Sequence, residues 1–131
     1  MRDVQSEFTG ALIVVVNFFQ LRKYDPDPRA KASGDHADEM ETSFLLHVAP
    51  HLVDMSAAGR GERVPFEITA LNQPGVWTPR PWSASHPDTG SGDPSFATAE
   101  KGRAHFEAVS GAIADVILGL SNAKKGEIPY L

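Results

Sequence analysis

The chain has 131 residues, no cysteine, a formal net charge of −5 and a composition that is 41% hydrophobic and 22% charged. That length allows one domain at most, with the composition of an ordinary globular protein. The missing cysteines exclude a disulfide framework and thiolate metal sites. The acidic balance supplies no basic stripe to displace counterions from a phosphate backbone, so nucleic-acid binding is not expected.

The first seven residues are polar and lack the apolar core of a signal peptide. The longest apolar run is Ala11 to Val16, extended by Phe18 and Phe19. A membrane span needs about 20 such residues, so no membrane association is expected and a cytoplasmic location is the default. Residues 11–19 do not alternate, which predicts a strand buried on both faces of a parallel sheet. Pro26 and Pro28 then forbid regular structure, and residues 29–35 read as a loop. Met40, Phe44, Val48 and Leu52 recur every four residues and predict a helix over about 38–54. Pro50 should end or kink it near residues 47–49, with a short second turn through Leu52 and Val53.

Residues 56–95 carry eleven glycines and prolines and predict a long irregular stretch, with only Val64 to Ile68 resembling a short strand. Trp77 and Trp82 argue that this stretch packs on something. The last helix is expected to start at Asp93-Pro94-Ser95, with Ser95 as N-cap, and to run to about residue 120 along Phe106, Val109, Ile113, Val116, Ile117 and Leu120. Beyond it, Ile128, Tyr130 and Leu131 are candidates to dock. One buried-type strand needs neighbouring strands, and helices on each side of them. The chain does not supply these itself, so it is expected to fold against a partner or to be a fragment.

One segment concentrates chemistry. Between Gly34 and Ser43, His36 sits just before a helix among four acidic residues, Asp35, Asp38, Glu39 and Glu41. A histidine before a helix and a carboxylate on its first turn can converge on one point, which could hold a divalent metal or a water to be activated. Carboxylates at a helix start are also common for the dipole alone, so the pattern by itself leaves catalysis open. His47, His51, His86 and His105 show no comparable setting. No Ser-His-Asp triad, phosphate loop or dinucleotide fingerprint is present.

His36-Ala37-Asp38-Glu39-Met40-Glu41-Thr42-Ser43 resembles the His-Ala/Gly-Gly-x-x-Glu-Thr-Ser segment of the creatininase family. Pro50-His51-Leu52-Val53 and the run Gly92-Asp93-Pro94-Ser95-Phe96-Ala97-Thr98-Ala99-Glu100-Lys101-Gly102 resemble two further family elements in the same order. The resemblance spans about residues 8–120. It implies an α/β fold, part of a three-layer α/β/α sandwich with a mainly parallel sheet, of which residues 1–131 would be the C-terminal half with a long loop at 56–95. It implies a hydrolase with two divalent metals, zinc or manganese, acting on a small cyclic amide or ketone. His36 would shuttle the proton, and Glu41 would lie at the metal site as a ligand or behind one.

The departures shape the expectation. The family's Glu-x-His and later His-rich metal motifs are absent, so the resemblance implies a companion chain carrying the N-terminal half, a shared metal site and an oligomer. Creatinine-specific members carry a Trp-Asp pair where this chain has Ala32 and Ser33, which counts against creatinine as substrate. Trp77, Arg80 and Trp82 have two readings. They could form a substrate lid, with indole walls and a guanidinium for a carboxylate or carbonyl oxygen. Or they anchor a loop, which the usual behaviour of loop aromatics favours. Trp77-Thr78-Pro79-Arg80-Pro81-Trp82 is similar to a creatininase-like subgroup linked to keto-inositol ring hydrolysis. The rival to an enzyme half is a non-catalytic structural subunit or a truncated fragment.

Overall fold

The computed structural model describes residues 2–8, 10–18, 21, 34–124, 126 and 127. Among the described residues four α-helices form: α1 (Arg2–Glu7), α2 (Glu39–Val48), α3 (Trp82–Ser85) and α4 (Ala99–Ser121). The chain divides into two compact units, Pro26–Phe106, and Met1–Asp25 with Glu107–Leu131.

In the first unit α2 begins where its cap dictates. The Asp38 carboxylate accepts from the backbone N–H groups of Met40 and Glu41, both at 3.0 Å. Such a cap stabilises a helix by about 0.5–2 kcal/mol. The helix stops at Val48, because Pro50 has no N–H to continue it, and a 3-10 turn follows at Pro50–Leu52. The helix thus ends where Pro50 was expected to end or kink it, short of residue 54, and the second turn lies at Pro50–Leu52 with Val53 as its C-cap. Residues 56–95 are irregular as expected, broken by a 3-10 turn at Thr69–Asn72 and by α3.

The start of α4 differs from expectation. Asp93 caps only a short 3-10 turn, Pro94–Phe96, by accepting from Ser95 N at 2.8 Å. The long helix starts later, and Thr98 rather than Ser95 answers its first turn, its Oγ1 accepting from Lys101 N at 3.2 Å. Proline at the front of the short turn sets a separate turn ahead of the helix.

α2 and the start of α4 cross closely. Gly102 lies so near the Ser43 carbonyl that any Cβ would overlap it. The Ser43 hydroxyl donates to Glu39 O at 2.5 Å and accepts from Thr98 N at 3.1 Å. The Lys101 ammonium binds the fully buried Glu39 carboxylate and also the Phe96 carbonyl at 2.7 Å. The Thr-x-x-Lys-Gly run is therefore packing chemistry: a small residue at the crossing and a cation for a buried anion. Phe44, His47 and Phe106 complete the contact, with ring centroids 5.6 and 5.7 Å apart.

In the second unit, the Gln5 amide on α1 donates to Ala11 O at 2.7 Å and accepts from Ile13 N at 2.8 Å. Among the described residues no β-strand forms, and residues 11–17 join no ladder there. The expected strands at 11–19 and at Val64 to Ile68 are thus not seen among the described residues, and residue 19 lies outside them. A strand exists only when its backbone groups are paired in a ladder; among the described residues the Val64 to Ile68 run makes isolated bonds instead, Val64 N to Ser85 O at 2.9 Å and Asn72 Nδ2 to Phe66 O at 2.8 Å. Within α4, Ala112 is buried while Ile117 and Leu118 are 57% and 59% exposed. By length and composition alone α4 could cross a membrane. Its apolar stripe equally suits a helix covered by further protein. Pro26, Pro28, Ile128, Tyr130 and Leu131 lie outside the described residues.

Candidate functional site

All of the site described next belongs to the Pro26–Phe106 unit. A short antiparallel bridge places His36. Asp35 N donates to Ser91 O at 2.8 Å, and Ser91 N returns a hydrogen bond to His36 O at 2.8 Å. Ala37 then turns through the left-handed region, φ 49°, to enter α2. That conformation costs an alanine roughly 1–2 kcal/mol, and strain of this kind gathers at functional corners.

Glu41 folds back over the same corner. Its Oε2 accepts from Ala37 N at 2.7 Å and lies 3.9 Å from His36 Nδ1. With Asp38 accepting from Glu41 N, the two carboxylates form a reciprocal capping arrangement around the helix start. The His36 and Glu41 side chains remain 55% and 43% exposed.

Trp82 stands over this corner. Its ring meets the His36 ring edge to face, with centroids 5.2 Å apart at 88°. Its indole N–H donates to Thr89 O at 2.9 Å. His86, one helical turn along α3, stacks on it at 3.9 Å and 13°. Arg80 lies 4.8 Å from the indole centroid, donates to Asp35 Oδ2 at 2.8 Å and approaches His86 Nε2 at 3.4 Å. His86 is only 1% exposed, with its Nδ1 2.9 Å from Ser85 Oγ. The Ser91 hydroxyl, together with the Arg80 guanidinium, holds the Asp35 carboxyl below its ordinary range against the opposing effect of burial.

Four of the five residues singled out from the sequence, His36, Glu41, Arg80 and Trp82, thus come together. Trp77 does not join them. It is 80% exposed and lines an open cleft of about 580 Å³ with Arg63, Phe66 and Leu71. Asp35 and Arg80 also line that cleft, so they belong to both groups. The sequence did not flag His86, although its spacing of four from Trp82 was the available signal.

The metal expectation meets a limit in the donor set. Among the described residues no three His, Asp or Glu side chains gather as a metal site. His36 and Glu41 offer at most two donors, so they fit as one edge of such a site and not as a whole one.

The family model for creatininase, creatinine amidohydrolase, matches residues 1–117. This chain belongs to the creatininase family. Members of the family generally use a divalent metal. A solved structure from Bacteroides fragilis, of a protein named as a candidate creatinine amidohydrolase, superimposes with a TM-score of 0.84 at 35% identity. The match covers 95% of this chain and 49% of that one, so the chain spans about half the length of this creatininase-family relative. No curated protein matches.

Proposed function

We propose that this chain supplies the His36 edge of a metal-dependent hydrolase of the creatininase type, with the remaining metal ligands coming from a companion chain in an oligomer. The observation that carries this reading is the corner itself. A half-exposed imidazole is held between a carboxylate and an aromatic ring, at the position of the family's histidine motif. The exposed Ile117, Leu118 and Leu120 on α4 support a companion, because apolar side chains of this size are normally covered.

When bound, zinc or manganese would polarise the scissile carbonyl and activate water. His36 holds a proton at the exposed edge and delivers it to the leaving group. Glu41, already oriented by the Ala37 N–H, presents its carboxylate to the same space. The cleft beside Asp35 and Arg80 suits a small polar substrate, a cyclic amide or ketone, with Trp77 as one wall. The 77–82 segment directs the choice toward a keto-inositol ring, and Ala32 and Ser33 direct it away from creatinine.

The test is hydrolysis of a panel of cyclic amides and inositol-derived ketones by the chain together with its companion. His36→Asn should lower kcat by about 10²–10⁴, the usual contribution of a positioned acid–base group. Full activity in His36→Asn, or no hydrolysis of any panel member, would contradict the reading and leave a non-catalytic subunit.

A further inference from the structure

We propose that Trp82 and His86 act as a positioning pair for His36, fixing the direction of its ring rather than contacting substrate. The inference rests on the reading of His36 as the proton-carrying group. The Glu41 oxygen at 3.9 Å is too distant for a hydrogen bond to Nδ1. The ring contact described for His36 is instead the edge-to-face one with Trp82. An exposed side chain without such a contact exchanges rotamers within nanoseconds, and proton transfer needs a fixed direction.

Trp82 is suited to the task because it is itself held on several sides. Its N–H is bound to Thr89 O, its ring is stacked on His86, and the Arg80 guanidinium lies over it. His86 is buried and pinned between Ser85 and Arg80. Arg80 then returns to Asp35, the residue beside His36, through a charge-assisted hydrogen bond. The contacts therefore close a ring: Asp35 to Arg80, Arg80 to Trp82, Trp82 to His36. Trp82 does not line the 580 Å³ cleft, whereas Trp77 and Arg80 do. This separates the two tryptophans: Trp77 is placed for substrate and Trp82 for the histidine.

The experiment is nuclear magnetic resonance of the full chain carrying isotope-labelled histidine, with His36 assigned through His36→Asn. Trp82→Leu should move the His36 ring signals toward those of a free histidine and abolish their cross-relaxation with residue 82. Trp82→Phe keeps an aromatic wall, so it should retain that cross-relaxation with a smaller displacement, and it decides the matter if the leucine variant does not fold. His86→Phe preserves the stack and should leave the His36 signals nearly in place. His86→Ala should displace them. In the assembled hydrolase, Trp82→Leu should lower kcat by about tenfold or more with KM almost unchanged.

His36 signals in Trp82→Leu that superimpose on those of the parent would overturn the proposal. So would a raised KM with kcat retained, the signature of a substrate contact. Displaced His36 signals in a chain that hydrolyses nothing would uphold the positioning pair while removing the hydrolase reading.

Discussion

Where α2 crosses the start of α4, the buried groups are polar and are answered from within the chain. Glu39 meets Lys101 and Ser43 meets Thr98 N, and elsewhere in the same unit, at the end of α3, His86 meets Ser85 and Arg80. Past Glu107 the same helix α4 buries little more than Ala112 and leaves Ile117, Leu118 and Leu120 exposed. A buried ionic or hydroxyl group is tolerated only with its partners in place, so the first region carries its own specification. Apolar side chains make no such demand on one another, and they can wait for protein supplied from elsewhere. The self-sufficient region is the one that holds the His36 corner.

The strongest way to break this contrast is to remove one member of the buried ion pair. Glu39→Ala leaves the Lys101 ammonium without its anion and should destabilise the chain by about 3–5 kcal/mol, measured by denaturant titration. Replacing both, as Glu39→Gln with Lys101→Met, should recover part of the loss. A null effect in Glu39→Ala would mean that the crossing does not depend on the pair. On the other side of the contrast, Ile117→Ser should change the stability of the free chain by no more than about 0.5 kcal/mol. The same change should weaken co-purification with a companion chain, because it removes apolar area from the surface that the companion would cover. A large loss of stability in the free chain would show that the apolar face is covered from within.

The smallest expected effect is a pH dependence confined to the first region. Burial holds His105 below its ordinary value of 6.5, and the Asp38 charge only partly offsets this. Below pH 6.5 the unfolded chain therefore binds more protons than the folded one. Stability present above that value is lost as pH falls through the folded value. Asp35 behaves likewise from its ordinary value of 3.8 downward, because Ser91 and Arg80 favour its ionised form in the fold. Thermal melts of His105→Phe should lose the upper of the two steps and keep the lower.

Much of the first region was legible in the sequence because it is local. The acidic helix start, the stripe from Met40 to Val48 and the stop before Pro50 all act within a few residues, although Asp38 proves to be the N-cap where the sequence placed it in the first turn. The meeting of Asp35 with Arg80 crosses 45 positions, and no periodicity records it. Trp82 and His86 were closer to legible, one turn apart, but α3 has only four residues and no apolar stripe to announce it. The start of α4 was misjudged because Asp93 and Thr98 both carry capping chemistry and a proline turn separates them. The apolar run at 11–17 was legible as composition, yet composition names no neighbouring strand, and among the described residues no strand forms beside it.

Elemental mass spectrometry of the purified chain, alone and co-expressed with its companion, tests the central claim most directly. The account predicts no stoichiometric metal in the chain alone, metal in the assembled pair, and loss of that metal when Glu41 is changed to Ala. Stoichiometric metal held by the isolated chain would contradict the shared site. Metal in neither preparation would contradict the metal-dependent hydrolase itself.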